Sequence, residues 1–381
     1  MTPPHSVVIV GESVAGTTAA RSLRALGHTG PITIIGAEAQ GAYSRPPLSK
    51  AVLKDEGSDS TLGYDLDGLD VEVLRSPATD LDVDRKAVRT GNGRVLGYDA
   101  LIVATGADAR RIAAPGQQGE VVLRTLDDAR LLRARLDTAR SALVVGAGFL
   151  GMEVVSACVA RGIPVTVVDV DRPLRRVLGP FLSDAIAARA ADHGVRVLTT
   201  RGRVTLTGDP IDGARLPDAT VLSADLVVSC CGEVPTTGWL AGTGLAGPFG
   251  IGIDLRCATT TPGVFAAGDV TYLRTDAGVA QPRRPFWSNA VAQGNGAAAS
   301  VLGLDPAGPP LDDYFWTEVL GLSIKVVGPL PLPGPPTRVE GDVSAGSALL
   351  TWHREGARST VVAYGMRKPV PKLRAMAAAT P

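Results

Sequence analysis

Two stretches of this chain, 135 residues apart, repeat one pattern: an apolar strand, a glycine-rich turn, a helix, and a second apolar strand ending near an acidic residue. In the first, residues 6–10 (SVVIV) run into Gly11, followed by Ser13, Ala15 and Gly16. A helical run over residues 17–26 puts Leu23 and Leu26 on one face, and a strand over residues 32–35 ends at Gly36-Ala37-Glu38. In the second, residues 143–145 lead into Gly146-Ala147-Gly148-Phe149-Leu150-Gly151, a complete G-x-G-x-x-G. A helix through residues 152–160 and a strand over residues 165–168 follow, closing at Asp169. Glycine allows the tight turn, and the helix N-terminus offers free amides to a pyrophosphate. Glu38 lies 27 residues after Gly11 and Asp169 lies 23 after Gly146, where a carboxylate can accept from ribose hydroxyls. Ser13 replaces the second fingerprint glycine and limits how closely the backbone can approach a ligand. Two such units predict an enzyme holding two dinucleotides.

Composition agrees with an α/β protein. The 45 glycines and 28 prolines fall below the roughly 25–30% that marks low complexity, and 45% of residues are apolar. Lys+Arg and Asp+Glu each total 38, so no net field draws nucleic acid or an anionic membrane. Only residues 141–160 resemble a membrane span, and three glycines and Glu153 make them a strand, turn and helix instead. A strand pattern begins by Ser6, with no charged region, apolar run and cleavage site before it, so a soluble, cytoplasmic protein is expected. Four cysteines, Cys158, Cys230, Cys231 and Cys257, are too few and too badly spaced for a disulfide framework or zinc site. The four histidines fall outside every motif.

Two further turns suit the plan. Residues 101–104 form a buried-strand pattern ending in Ala104-Thr105-Gly106, where the chain can return to the first nucleotide. Residues 264–267 do the same and end in Gly268-Asp269, a carboxylate at the end of a sheet strand, where doubly wound folds bind ligands.

With these residues the chain resembles the FAD-dependent, NADH-dependent ferredoxin reductases that serve bacterial cytochrome monooxygenases and aromatic-ring dioxygenases. The likeness covers essentially the whole chain. Its most specific segment is Tyr43-Ser44-Arg45-Pro46-Pro47-Leu48-Ser49-Lys50, matching Y-x-R-P-P-L-S-K. Gly146 to Gly151 with Met152-Glu153, the run TPGVFAAGDV at residues 261–270, Trp287-Ser288-Asn289-Ala290, and Tyr314-Phe315-Trp316-Thr317-Glu318 also match. The G-x-S-x-A-G form of the first fingerprint is similar to a variant in that family.

The resemblance implies that the first fingerprint takes FAD and the second NADH. Gly11, Ser13, Ala15 and Gly16 would cradle the FAD pyrophosphate, with Glu38 on its ribose, Ala104, Thr105 and Gly106 in the returning loop, and Gly268 and Asp269 on the ribityl chain. Arg45, Lys50, Trp287 and Trp316 would lie near the isoalloxazine. Lys50 would stabilise negative charge on the reduced ring, with Glu153 beside it; these two are the candidate catalytic residues. Gly146, Gly148, Phe149, Leu150, Gly151, Glu153, Asp169 and Gly232 would serve NADH. Asp169 favours NADH, although Arg172, Arg175 and Arg176 stand close enough to hold a 2′-phosphate. No metal site is expected. The implied partner is a [2Fe-2S] ferredoxin, usually acidic, with Arg283, Arg284, Arg367 and Lys368 as docking candidates.

Some residues depart from the pattern. No cysteine precedes Cys158, so the C-x-x-x-x-C disulfide route of glutathione-reductase relatives is excluded. Pro285 and Phe286 replace the Glu and His that often precede the family's Trp, which leaves flavin potential or partner choice open. Two other readings stay open: an FAD/NADH-dependent oxidoreductase acting directly on a small organic substrate, and a slow-turnover NADH-binding redox sensor. The expected architecture is α/β, with two Rossmann-like dinucleotide-binding domains and a small C-terminal α+β domain. The FAD-binding domain is set at residues 1–109 and 243–310, the NADH-binding domain at 110–242, and the C-terminal domain at 311–381. Residues 322–327 and 348–352 alternate like strands, residues 329–336 form a Pro-rich turn, and residues 371–379 a short helix.

Overall fold

The computed structural model describes residues 4–54, 66–274, 282–354 and 356–378. The chain divides into two compact units: Met1–Ser44, Thr61–Asp108 and Val234–Asp312 form one, and Arg45–Ser60, Ala109–Glu233 and Asp313–Pro381 the other.

The first unit is built on a five-stranded parallel sheet. Its order is Val264–Ala266, Ala100–Val103, Val7–Val10, Ile32–Gly36 and Glu72–Arg75. Parallel strands covered on both faces need unbroken apolar runs, and Val7–Val10 and Ala100–Val103 are buried at every position. Helix Val14–Ala25 packs against helix Trp287–Val301. The approach is close because both contact faces are small: a Cβ on Gly294 would meet the Ala15 carbonyl oxygen at 2.6 Å. The helical face read from Leu23 and Leu26 ends one residue early. Leu23 is fully buried, whereas Leu26 falls at the C-cap and is exposed.

The second unit contains a four-stranded parallel sheet in the order Arg196–Thr199, Val165–Asp169, Ala142–Val145 and Leu226–Ser229. The apparent membrane span resolves into strand Ala142–Val145 and helix Phe149–Ala160. No helix among the described residues is long and apolar enough to cross a membrane. Residues 45–54 group with this unit: Arg161 donates to the Leu53 carbonyl, and Arg133 to that of Val52 at 3.3 Å.

This unit also holds a five-stranded antiparallel sheet, ordered Tyr314–Val319, Leu322–Val327, Ala357–Tyr364, Ser347–Arg354 and Arg338–Asp342, with helix Val370–Ala378 against it. Strand Leu322–Val327 stands where alternation placed it, and Ser347–Arg354 extends the second expected strand at both ends. Arg338–Asp342 is exposed at every residue, so it carried no apolar signal. Ala379, the last residue of the expected helix, lies outside the described residues.

Candidate functional site

Both fingerprint turns rest on one backbone device. Gly11 has φ +120°, and a Cβ there would meet the Ala104 carbonyl oxygen at 2.1 Å. Gly146 has φ +112°, and a Cβ there would meet the Cys230 carbonyl oxygen at 2.2 Å. The last fingerprint glycines, Gly16 and Gly151, would put a Cβ within 1.9 and 1.8 Å of the carbonyls of Gly11 and Gly146. Only glycine fits these four positions, whatever the ligand.

Gly148 is different. Its φ is an ordinary −74° and nothing lies within 4 Å of where its Cβ would be. It is the N-cap of helix Phe149–Ala160, whose first amides have no intrahelical acceptor. Neither backbone nor packing demands glycine, but a pyrophosphate approaching those amides would. In the first unit the N-cap is Ser13, and its side chain makes no capping bond. Both turns therefore fit a dinucleotide.

In the first unit, Glu38 accepts from the Tyr43 hydroxyl. The returning loop is tied down: Thr105 Oγ1 donates to the Thr236 carbonyl at 2.8 Å, and the Gly106 carbonyl accepts from Thr236 N at 3.0 Å. The Gly268-Asp269 turn is fastened by a residue that no motif marks. Gln293 Oε1 accepts from Gly268 N at 2.7 Å and from Thr271 Oγ1 at 3.0 Å. Arg283 donates to the Asp269 carbonyl at 2.7 Å, so one docking candidate is engaged with the loop expected to hold the flavin. Trp287 begins helix Trp287–Val301 and is partly exposed.

In the second unit, Asp169 is crowded with donors. Its carboxylate accepts from Ala147 N at 2.7 Å, Val170 N at 2.6 Å, Asp171 N at 3.3 Å and Arg176 Nη2 at 2.9 Å. Arg176 also pairs with Asp171, and Arg172 pairs with Asp184. Gly232 has φ +92° with open space around it. Arg45 donates to the Arg124 carbonyl at 2.8 Å.

The structure brings Lys50 and Glu153 together. Lys50 Nζ lies 2.9 Å from Glu153 Oε2 and 3.1 Å from the Pro46 carbonyl, both side chains being largely buried. Trp316 is adjacent, its ring centroid 6.0 Å from Nζ. Two hydroxyls that sequence reasoning missed complete the cluster: Ser49 donates to Oε2, and Thr317 donates to Oε1 at 2.6 Å. Along strand Tyr314–Val319, Phe315 and Thr317 share the buried face, where Phe315 meets Phe149 with centroids 5.0 Å apart. Trp316 sits on the opposite face and stacks on Tyr314 at 5.9 Å. Alternation of side chains along the strand allows one segment to do both.

Residues 5–294 match the family described as pyridine nucleotide-disulphide oxidoreductase. The chain belongs to that family. It is 33% identical to the benzene 1,2-dioxygenase system ferredoxin–NAD(+) reductase subunit of Pseudomonas putida, over 94% of this chain and 89% of that one. It is 31% identical to a rubredoxin-NAD(+) reductase of Ectopseudomonas oleovorans, over 85% of this chain and 87% of that protein. Among solved structures, the covalent putidaredoxin reductase–putidaredoxin complex aligns with a TM-score of 0.85 at 27% identity, over 98% of this chain and 92% of the other. The family's fold of parallel-sheet cores with an added antiparallel sheet is the one described above.

Burial works against the disulphide chemistry in the family's name at these thiols. All four cysteines are free. Burial pushes Cys158 and Cys257 up to about 12 and Cys231 to about 11, and pushes Cys230 up as well. Thiols held protonated at neutral pH are poor nucleophiles.

Proposed function

We propose that this protein is a cytoplasmic flavoprotein reductase that passes electrons from NADH through FAD to a [2Fe-2S] ferredoxin feeding a monooxygenase or dioxygenase. The observation that carries this reading is the doubled dinucleotide turn, in which Gly148 is a glycine required by nothing but an approaching ligand. Relatives along most of the chain that are named as ferredoxin–NAD(+) reductases support it. When bound, FAD takes an electron pair from NADH and releases it singly, as an iron–sulfur acceptor requires.

The chain's own residues bind and orient. Gly11, Ser13, Ala15 and Gly16 hold the FAD pyrophosphate, Glu38 its ribose, and Gly268 and Asp269 its ribityl chain, with Ala104, Thr105 and Gly106 closing the loop. Gly146 to Gly151, Asp169 and Gly232 hold NADH. Asp169 repels a 2′-phosphate, and two of the three arginines that would attract one, Arg172 and Arg176, are engaged by Asp169, Asp171 and Asp184. To Lys50 we assign stabilisation of the negative charge that the flavin gains on reduction, with Glu153 beside Lys50 as its ion-pair partner and Arg45, Trp287 and Trp316 lining the ring. Domain limits of 1–109 with 243–310, 110–242 and 311–381 are part of the same proposal. Arg283, Arg284, Arg367 and Lys368 are the docking cations for an acidic partner. Charge reversal at Arg283 would also disturb the Asp269 loop.

Anaerobic titration with NADH, followed by mixing with a [2Fe-2S] ferredoxin or a rubredoxin, tests the reading. Flavin bleaching by NADH and reoxidation by the ferredoxin are expected. Reoxidation by rubredoxin alone would move the partner to the class named in the second relative. A colourless protein that takes up no FAD would overturn the proposal.

A further inference from the structure

The first fingerprint turn carries a buried carboxylate that its motif does not require. Strand register makes the two units directly comparable. Gly11 N donates to the Ile35 carbonyl at 2.8 Å, and Gly146 N to the Val168 carbonyl at 2.7 Å. Position 36 is therefore the counterpart of 169, and position 12 the counterpart of 147. In the second unit the acid stands at the strand end, Asp169, and alanine stands in the turn. In the first unit the two are exchanged: Gly36 ends the strand, and Glu12 stands in the turn.

Glu12 fills the place that Gly36 leaves empty. A Cβ on Gly36 would meet Glu12 Oε2 at 2.2 Å, so the carboxylate lies where a strand-end side chain would begin. Arg75, at the end of the neighbouring strand, pairs with Oε2 and donates to the Glu38 carbonyl at 3.4 Å. The Glu12 side chain is only 6% exposed. Among the described residues no group donates to its other oxygen, Oε1. Asp169, by contrast, accepts from three backbone amides and Arg176. Oε1 is not among the buried side-chain atoms left without a partner, so it stays open to solvent, where a ligand hydroxyl can reach it. Glu38 stands two residues beyond the strand end, so it is not the positional counterpart of Asp169.

We propose that Glu12 is a binding residue for the first dinucleotide, accepting a hydrogen bond from a ribose hydroxyl of its adenosine half. Arg75 is its positioning residue. The inference rests on reading the first turn as the FAD site.

Apoprotein reconstituted with FAD and followed by flavin fluorescence tests it. Glu12→Ala and Glu12→Gln should each raise the Kd for FAD about tenfold, the scale of one hydrogen bond to a charged group. NADH binding to the reconstituted protein should stay within about twofold, since the second turn is untouched. Gly36 has no positive φ, and once Glu12 is alanine its nearest neighbour is the residue-12 Cβ at 3.1 Å, so Gly36→Asp needs a shift of a few tenths of an ångström and copies the second unit's arrangement. That double variant should regain most of the lost affinity. If either folded single variant binds FAD as wild type does, the inference falls. It falls equally if affinity is lost and Gly36→Asp recovers none of it, because Glu12 would then be only a brace for the turn. A wild-type protein that binds no FAD defeats the functional proposal instead.

Discussion

In the first turn Gly11 lies against the carbonyl of Ala104; in the second, Gly146 lies against that of Cys230. At the next fingerprint position the turns diverge, with Ser13 in one and Gly148 in the other. They diverge again in their acids, Glu12 over Gly36 against Asp169 beside Ala147. The shared features are backbone contacts that no side chain can replace. The divergent ones face open space or are filled by charged groups that can be supplied from either side. The pattern therefore separates glycines that the chain needs for itself from the one it keeps for a ligand.

The largest effects should come from the shared glycines. Gly11→Ala and Gly146→Ala each force a Cβ into a carbonyl at positive φ and should cost about 3 kcal/mol or more. Calorimetry of the purified variants would show it as a lost or strongly lowered transition, and a wild-type melting curve would break the comparison. Gly148→Ala comes next and should act on the ligand alone. The NADH Kd should rise about tenfold in a binding titration while the apoprotein melts as wild type does, because nothing surrounds that position. Ser13→Ala, at the matching place in the first turn, should change the FAD Kd by less than about threefold, since a side chain is already tolerated there.

A smaller effect concerns the thiols. Cys158 is raised to about 12 in the folded chain, whereas an unfolded thiol ionises near 8.5. The native state thus holds its proton where the unfolded state has lost it, so this group's stabilising contribution is present below that range. It falls as pH rises toward 12. Denaturant melts at stepped alkaline pH would show a midpoint that declines more steeply in wild type than in Cys158→Ala. The smallest effect is Cys230→Ala, which copies Ala104 and should leave NADH-driven flavin reduction unchanged; a large loss would mean that this thiol does something its counterpart cannot.

Strand-turn-helix units were legible because apolar runs, glycines and helix starts are local signals. Gly11, Gly16, Gly146 and Gly151 could be named from spacing alone. The exchange of acids could not. Glu12 reads as an anonymous turn residue until strand register sets it over Gly36, and Arg75 reaches it from 63 positions away. Spacing pointed to Glu38 as the matching acid, but only hydrogen-bond register shows which residue ends the strand. Gln293, Ser49 and Thr317 were hidden for a similar reason: each acts through hydrogen bonds to a distant segment.

Glu153 gives the antiparallel sheet a stake in the nucleotide unit. Thr317 and the Glu318 amide donate to its Oε1, the Leu320 amide donates to Ser156 at 2.8 Å, and Arg189 holds the Leu320 carbonyl at 2.8 Å. A chain cut before Asp313 would keep every fingerprint but strip Oε1 of both its donors, leaving the carboxylate only Ser49 and Lys50 on Oε2. The third sheet is consequently not a cassette to be traded freely among reductases. A graft that brings no hydroxyl to position 317 would leave Glu153 Oε1 with the Glu318 amide alone.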